Sequence, residues 1–465
     1  MGNCNANWSW RKVEELQARL ANGEGLPFSE LLDPEMVTQV LERHEVTWVD
    51  RIYTPQVTLW VFLSQALDAD GSCRAAVARL LAHRLARGER PCSAQTGAYC
   101  QARARLPEEV LADLVRQTGA QQHQRVGQKW QWKGRRVKVF DGSTISMPDT
   151  PANQQAYPQH PSQQQGVGFP LARMAVVFCL FSGVVMGLAL RRFAGQDQSE
   201  LSMFRELLDL FFPGDVMLGD RGVCSWFELA LLKQKGVDAV VRLHQRRPAD
   251  FRYGRRLGKK DRLVVWPKPP RPAWMDQATY EELPEELEIR LVEVVVQQPG
   301  FRSRRIVLAT TLLDASEYTK SELGELYRLR WQAELNLRSL KSTLRMEPLR
   351  CQTPQMVHKE IWIHLLAYNL IRQLILEAAE QHGLSPLAIS FAGALQTLAA
   401  FQLLLATANA QTLPRMYEQI LHAVASNRVG NRADRCEPRA VKRRPKPYPL
   451  LTIPRAKARK KLCCT

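Results

Sequence analysis

The segment from Tyr327 to Lys341, which reads YRLRWQAELNLRSLK, strongly constrains the fold of this chain. Its Tyr327, Arg330, Glu334 and Lys341 stand at offsets of 0, 3, 7 and 14. At 3.6 residues per turn, these offsets fall within an arc of roughly 60° on one side of a helix. Leucines on the opposite side form a stripe broad enough to pack against a core. The pattern predicts an amphipathic helix with one face free for chemistry, although an ordinary solvated helix has the same periodicity.

Two aspartates upstream favour the chemical interpretation. Asp141 follows an alternating apolar run in VKVFDGSTI, and Asp220 follows a short apolar run in DVMLGDRGV. Each run predicts a strand that ends at its aspartate, beside a glycine. Two strand-end carboxylates and the carboxylate of Glu334 form a ligand set suited to Mg²⁺, which prefers oxygen ligands and takes few of them from protein.

The order FDGST, LGDRG and Y-x2-R-x3-E-x6-K resembles the DDE transposases of the insertion sequence 4 family, whose Tyr-Arg-Glu-Lys signature lies on the helix that supplies the third acidic residue. The resemblance covers residues 130 to 375 well and the ends of the chain loosely. It implies an α/β fold of the RNase H-like type: a mixed sheet flanked by helices and interrupted by a β-rich insertion. An all-helical N-terminal domain and a helical C-terminal region complete the predicted architecture.

The resemblance also implies roles for individual residues. Asp141, Asp220 and Glu334 are expected to be catalytic and to bind two Mg²⁺ ions, for which Mn²⁺ can substitute. The remaining signature residues are expected to contact the phosphates of the transposon end, and two side chains that border the same helix face join this DNA-binding set: Tyr327, Arg330, Lys341, Trp331 and Arg338. The implied partners are double-stranded DNA, as terminal inverted repeats and as target, and a second copy of the chain in a synaptic homodimer.

The sequence departs from the family pattern at one tryptophan. Relatives that cut through a DNA hairpin stack a flipped base on a Trp in the strand before the glutamate helix, but the strand RIVLATTLL contains none. Trp266 and Trp274 are the candidates to replace it. Whether a hairpin forms is therefore left open.

Composition agrees with a DNA-binding protein. The chain has 465 residues, a formal net charge of +18 and a pI near 9.7, which favours a polyanionic partner, although many basic proteins bind no nucleic acid. With 45% hydrophobic residues it can bury a large core, and two to four domains are expected.

The location is predicted to be the bacterial cytoplasm, in association with the nucleoid when DNA is bound. Ten cysteines occur without C-x-x-C pairs, which indicates reduced thiols, and no signal peptide is recognised. The uncharged run of residues 174–190 is divided by Ser182-Gly183 into two β-rich halves, so it predicts a hairpin and no membrane span. Neither a membrane nor a small-molecule substrate is expected.

The chain is divided into predicted segments as follows: residues 1–125, helical and a candidate DNA-binding domain; 130–243, the first part of the catalytic domain; 244–302, the β-rich insertion; 303–375, the second part with the glutamate helix; 376–425, C-terminal helices and a candidate dimer surface; and 426–465, a basic tail. In the first segment, the helix that follows GERP offers Gln95, Thr96, Tyr99, Gln101 and Arg103 to a DNA groove if it belongs to a helix-turn-helix. A plain helical bundle is the alternative.

Two basic regions are expected to contact phosphates. The first part of the insertion, HQRRPADFRYGRRLGKKDR, mixes cations with Phe251 and Tyr253 and predicts a clamp on the DNA end, with a solvated loop as the alternative. The tail from Arg428 carries 13 Lys or Arg against two acidic residues and is broken by prolines, so no packed domain is expected there. The tail either follows DNA or wraps onto a dimer partner.

Together these features predict a DDE transposase that cleaves DNA at the transposon ends and joins them to target DNA. A domesticated protein that binds DNA without cutting it is one alternative. A metal-dependent nuclease of the same fold that cuts without joining is another.

Overall fold

The computed structural model describes residues 32–49, 51–195, 198–296, 304–406, 411–430 and 450–463. The chain forms two compact units. The first comprises residues 1–130, 181–187 and 336–429, and the second comprises residues 131–180, 188–335 and 430–465. The first unit thus combines N-terminal helices with helices from the last third of the chain, so the two units do not follow the predicted segments. The helix predicted from VEELQARLANG lies outside the described residues.

A mixed sheet of nine strands, counted over the described residues, dominates the second unit, although the first residues of its third strand belong to the first unit. The strands are β1 (Val137–Ser146), β2 (Leu171–Cys179), β3 (Val185–Arg192), β4 (Val216–Gly219), β5 (Asp238–Arg242), β6 (Arg255–Gly258), β7 (Asp261–Pro267), β8 (Glu286–Val296) and β9 (Arg304–Thr310). Their order across the sheet is β3-β2-β1-β4-β5-β9-β8-β7-β6.

The strand directions identify the fold class. β1 pairs antiparallel with β2 and parallel with β4, and β4 pairs parallel with β5. This is the RNase H-like arrangement, so the predicted fold class is confirmed. The strands of the β-rich insertion extend the same sheet, because β8 pairs with both β9 and β7.

β1 is longer than the sequence predicts. Its parallel pairing with β4 runs only from Val137 to Val139, but its antiparallel pairing with β2 continues to Ser146. The prediction that the strand ends at Asp141-Gly142 is therefore wrong, because β2 still supplies hydrogen-bond partners after β4 has ended. The buried part of β1 includes Lys138, whose Nζ lies 2.6 Å from Oδ2 of Asp215.

Helices flank the sheet in the second unit, which confirms the layered arrangement. The helices of this unit are α6 (Pro151–Ala156), α7 (Glu200–Glu206), α8 (Trp226–Gln234), α9 (Gln277–Glu282), α10 (Lys320–Arg328) and, in the basic tail, α15 (Arg455–Cys463), of which α7, α8 and α10 pack against strands. The predicted capping box at the start of α10 is present, since Thr319 and Glu322 each bond the other's backbone N–H. The end of the tail is helical, because its last proline, Pro454, stands before the helix and leaves its interior unbroken.

The first unit is helical in its described part, apart from the first residues of β3. Its helices are α1 (Pro34–Arg43), α2 (Pro55–Leu67), α3 (Cys73–Ala86), α4 (Gly97–Arg105), α5 (Glu108–Arg125), α12 (Pro354–Gln381), α13 (Phe391–Ala406) and α14 (Leu413–Ser426). α12 is buried almost throughout and forms the centre of this unit. Two of its buried polar side chains illustrate how it is held: Asn369 bonds both backbone groups of Val185, and Glu377 pairs with Arg125 at 3.3 Å.

The glutamate helix is not the single regular helix that the sequence predicts. α10 ends at Arg328, α11 (Trp331–Arg338) follows, and residues 339–343 form a π-helical turn. Around Arg330 the backbone N–H groups bond three residues back, which tightens the turn, whereas the π turn widens it. The offsets between Tyr327 and Lys341 therefore do not follow 3.6 residues per turn. The division between the two units falls inside α11, after Leu335.

Two of the residues proposed to read DNA bases from the N-terminal helices belong to the core instead. Tyr99 and Arg103 are buried, and Tyr99 donates its hydroxyl to Gln65 at 2.7 Å. Arg103 lies over the rings of Phe62 and Tyr99. They share one face of α4 because they are four residues apart, and that face packs inward. Of the same set, Gln95 and Gln101 are exposed and Thr96 is half-buried.

Among the described helices, none is long and apolar enough to cross a membrane. The run of residues 174–190, which resembles a membrane segment in hydropathy, forms β2 and β3 as predicted.

The close approach of α5 to β3 yields a test of the first unit. A Cβ added at Gly119 would lie 2.3 Å from the carbonyl oxygen of Val185, so we expect Gly119→Ala to lower the free energy of unfolding by about 3 kcal/mol. Gly127→Ala is the control, since no heavy atom lies within 4 Å of its added Cβ, and it should change stability by less than about 1 kcal/mol. Urea unfolding followed by circular dichroism measures both, and equal stability of the two variants would contradict this packing.

Candidate active site

The register of two parallel strands brings the two aspartates to the same level. Val139 of β1 is paired with Leu218 of β4. Continuing that register by two residues places Asp141 beside Asp220, and neighbouring strands lie roughly 4.8 Å apart. β4 ends at Gly219, so Asp220 is free of the sheet and exposed, whereas Asp141 is half-buried within β1.

Arg330 joins the helix residues to these aspartates. Its guanidinium donates a hydrogen bond from Nη2 to Oε1 of Glu334 at 2.9 Å. Its Nη1 lies 3.8 Å from Oδ1 of Asp141. One cation therefore stands between the carboxylate of the helix and the carboxylate of the central strand. Tyr327, one helical turn earlier, is buried beside it.

Asp220 interacts electrostatically with the same group. Burial disfavours the charged guanidinium of Arg330, but Tyr327, Asp141 and Asp220 together with the hydrogen bond to Glu334 raise its pKa on balance. Burial raises the pKa of the Tyr327 hydroxyl, and the negative charge of Asp220 adds to the increase. The three predicted acidic residues thus all interact with the Tyr327–Arg330 pair.

The carboxyl group of Asp141 binds a proton more tightly than an ordinary aspartate does. Burial raises its pKa from 3.8 to about 6, and the negative charges of Glu334 and Glu200 also raise it, against the opposing effect of Arg330. A carboxylate held in this way gains from any additional cation nearby, because the cation would offset both the burial and the repulsion.

Glu200 is an acidic neighbour that the sequence analysis missed. Its Oε1 lies 2.6 Å from the position of a Cβ added at Gly142, and its Oε2 lies 3.1 Å from a Cβ added at Gly222. The carboxylate therefore packs against glycines that flank both aspartates. Glu200 is the first residue of α7 and lies far from any motif in the sequence. The only signal that could have pointed to this neighbour was the glycine that closely follows each aspartate.

The residues fit a hard divalent cation in their chemistry. The donors around Arg330 are carboxylate oxygens, which Mg²⁺ prefers, and the guanidinium supplies the positive charge that they require. Among the described residues, however, no three acidic, His or Cys side chains are already close enough together to hold a metal ion.

The other predicted DNA-binding residues are placed less closely. Trp331 begins α11 next to Arg330 and is 37% exposed. Arg338 and Lys341 lie in the part of the chain counted with the first unit, where Arg338 is exposed and Lys341 pairs with Glu347 at 2.8 Å. The structure therefore brings together Asp141, Asp220, Tyr327, Arg330 and Glu334.

The two tryptophans considered for base stacking differ in exposure. Trp266 is buried, its carbonyl accepts a hydrogen bond from Trp226, and Arg247 lies 4.0 Å from its ring centroid. Trp274 is 41% exposed, and Arg205 lies 3.8 Å from its ring centroid. Trp274 is therefore the more accessible of the two rings.

The basic side chains around the β6–β7 hairpin of the insertion face solvent. The exposed residues around the β6–β7 hairpin are Arg252, Tyr253, Arg255, Arg256, Lys259 and Lys260. Tyr253 is the most open of the large side chains here, at 69% exposure. This surface has the cations and the aromatic group that a phosphate and base contact requires.

Comparisons with known proteins agree with this arrangement. Residues 132–370 match the family described as the transposase DDE domain. The chain is 28% identical over 423 residues to the transposase InsG for insertion sequence element IS4 of Escherichia coli strain K12, covering 90% of this chain and 92% of that relative. It is 38% identical over 81 residues to the putative transposase InsL for element IS186A of the same strain, covering 17% of this chain and 22% of the relative.

One solved structure is also similar. The piggyBac transposase synaptic complex with hairpin DNA aligns with 87% of this chain and 85% of that chain, at a TM-score of 0.43 and 9% identity.

The fold and the matched domain define an enzyme that acts on DNA with an acidic site of a type that generally uses divalent metal ions. The chain belongs to the DDE transposases, in the family of insertion sequence 4.

The raised pKa of Asp141 predicts how its amide variant behaves. Because the folded pKa of about 6 exceeds the ordinary 3.8, the wild-type chain loses stability as pH rises between these values, and the loss is constant above them. Asp141→Asn removes this cost, which is at most about 3 kcal/mol. In EDTA we expect the variant to melt a few degrees higher than wild type at about pH 7.5 and at the same temperature below about pH 4. A variant that melts lower at pH 7.5 would contradict the burial of this carboxylate.

Proposed function

We propose that this transposase hydrolyses a phosphodiester bond at each transposon end and then joins the freed 3′-hydroxyl to target DNA by transesterification. Asp141, Asp220 and Glu334 are the catalytic residues and would hold two Mg²⁺ ions, with Mn²⁺ able to substitute. When bound, the ions activate the attacking oxygen and neutralise charge on the phosphate. The single observation that carries this proposal is the convergence of the three carboxylates on the guanidinium of Arg330.

Arg330 has two roles in this proposal. Before DNA binds, its guanidinium neutralises Glu334, at 2.9 Å, and Asp141, at 3.8 Å. Without it the two carboxylates would repel one another. When the transposon end enters, its phosphate offers Arg330 a bidentate partner of the kind that arginine favours. The transfer of Arg330 from carboxylate to phosphate frees the acidic side chains and positions the scissile strand at the same time.

The remaining members of the DNA-binding set act beside Arg330. Tyr327 is buried against the guanidinium and orients it, because the charge of Arg330 and the phenol interact directly. Trp331, exposed and adjacent in sequence, offers a stacking surface to the end of the strand. We assign a phosphate contact to Lys341 by its position in the signature, and one to Arg338 because it is an exposed cation of the same segment.

Sequence-independent contacts come from the basic surfaces. The exposed cations of the β6–β7 hairpin and of α15 are suited to phosphates, which position the duplex without reading it. α15 carries Arg455, Lys457, Arg459, Lys460 and Lys461 within three turns. Cleavage and joining of two ends further requires a pair of active sites, so we propose that the chain acts as a homodimer on paired ends.

Amide substitutions test the acidic set. Asp141→Asn, Asp220→Asn and Glu334→Gln each remove a ligand charge with little change of shape, so we expect each to reduce cleavage of a labelled transposon end by at least about a thousandfold. Their affinity for the end duplex should remain within about threefold of wild type. Glu206→Gln is the control, because Glu206 is a surface residue paired with Arg191. This variant should cleave at the wild-type rate. Gel analysis of Mg²⁺-dependent cleavage and a filter-binding assay measure the two properties.

The same assay separates the alternatives. A variant from the acidic set that cleaves as fast as Glu206→Gln removes that residue from the site. Wild-type protein that binds the ends but never cuts them would indicate a DNA-binding protein without catalysis. Cleavage without joined products in the presence of target DNA would indicate a nuclease.

A further inference from the structure

A buried ion pair connects the β-rich insertion to the start of the glutamate helix region. Arg290 of β8 is fully buried and forms a bidentate contact with Asp261 of β7, with Nε to Oδ1 at 2.8 Å and Nη2 to Oδ2 at 2.6 Å. The remaining nitrogen, Nη1, donates to the carbonyl oxygen of Tyr318 at 2.6 Å. One guanidinium therefore bonds two strands of the insertion and the segment that leads into α10.

The position of Tyr318 makes this contact significant. Tyr318 directly precedes Thr319, the N-cap of α10, and α10 leads to Tyr327 and then to Arg330. Further contacts hold the same helix start: Lys320 donates to the carbonyl of Lys259 in the hairpin turn at 3.2 Å, and Glu322 pairs with Lys133 at 2.7 Å. The helix that carries the signature is thus attached at its origin to the basic hairpin of the insertion.

Stability alone does not account for this pair. Two buried charges lose their hydration, and a well-packed apolar pair of similar volume is often as stable or more stable. The advantage of the arginine is directional: its planar fork has donors left over for the Tyr318 carbonyl, which an apolar side chain cannot bond. A buried ion pair that loses hydration but fixes the position of a neighbouring segment is expected where a small displacement of that segment would impair function.

We propose that Asp261 and Arg290 are positioning residues, which fix α10 against the insertion and thereby set the location of Arg330 among the carboxylates. The proposal rests on the function assigned above to Arg330 and Glu334. It gives the insertion a second role beside phosphate contact. DNA bound by Lys259 and Lys260 of the hairpin would displace the strand that begins at Asp261. Arg290 would transmit this displacement to the N-terminus of α10.

The test replaces the pair by apolar residues and measures cleavage. In Asp261→Leu/Arg290→Met both charges are removed together, so stability is retained, while the bond to Tyr318 is lost. We expect single-turnover cleavage of a labelled end in Mg²⁺ to slow by about 10- to 100-fold, as for a displacement of about 1 Å at a reacting group, with end-duplex affinity within about threefold. Arg290→Lys is the second variant. It keeps a cation for Asp261 but lacks the planar fork that bonds both Asp261 oxygens and Tyr318 from three separate nitrogens, so it should also slow cleavage.

A double-mutant cycle distinguishes positioning from general destabilisation. If the pair acts through Arg330, adding the apolar pair to Arg330→Lys should slow cleavage by less than about threefold further. The control is a second ion pair of this unit, between the half-buried Arg205 and the buried Glu228, whose atoms lie 2.6 Å apart. Arg205→Met/Glu228→Leu also removes two opposite charges together, so it should retain stability to a similar extent. It should change cleavage by less than about threefold, equally in both backgrounds.

The proposal is overturned if the folded apolar-pair variant cleaves at the wild-type rate, or if its loss is the same size in the Arg330→Lys background. It is also overturned if the control pair slows cleavage as much. If the apolar-pair variant does not fold, Arg290→Lys decides by the same criteria. Glu334→Gln, measured in parallel, separates the two levels: a Glu334→Gln protein that still cleaves refutes the proposed function, whereas an inactive one together with active pair variants refutes only the positioning role.

Discussion

The site depends on the interaction of the Arg330 guanidinium with the carboxylates of Asp141 and Glu334. The fold brings Asp141 and Asp220 together through the parallel register of β1 and β4, and it adds Glu334 from α11 and Glu200 from α7 nearby. These carboxylates repel one another, and the pKa of Asp141 is raised by its burial first and by this repulsion second. A guanidinium 2.9 Å from Glu334 and 3.8 Å from Asp141 makes the arrangement tolerable in the absence of other cations. The residue that neutralises the site is also a residue suited to bind the phosphate of the substrate.

The sequence predicted the chemistry of this site better than its geometry. The three acidic residues were identified because each follows or lies within a pattern that also appears in a known family. The strand at Asp141 was predicted to end too early, because nothing local shows that β2 pairs beyond the end of β4. The glutamate helix was predicted as regular, because periodicity cannot reveal a tightened turn at Arg330 or a π turn at Lys341. Glu200 was missed, because a single acidic residue at a helix start carries no signal until the fold places it beside Gly142.

Helical segments show a similar limit. Amphipathic patterns located the N-terminal helices, yet they did not show that Tyr99 and Arg103 face inward, since a tyrosine and an arginine suit both a core and a DNA groove. The insertion was correctly predicted to be β-rich. The sequence did not show that it extends the central sheet, because that depends on the pairing of β8 with β9, which lie far along the chain from the β6–β7 hairpin. The buried pair of Asp261 and Arg290 was not predicted, because charged residues in alternating strands are ordinarily assigned to the solvent face.

The central claim is that Asp141, Asp220 and Glu334 bind divalent metal together once Arg330 withdraws. Iron-promoted hydroxyl-radical cleavage of the protein, with the cut sites mapped by mass spectrometry, tests it directly, because Fe²⁺ in a Mg²⁺ site cuts the backbone only nearby. The account predicts cuts close to residues 141, 220 and 334 that are stronger with end DNA than without it and are competed by Mg²⁺. Cuts confined to other parts of the chain, or cuts at these positions that persist unchanged in Glu334→Gln, would contradict it.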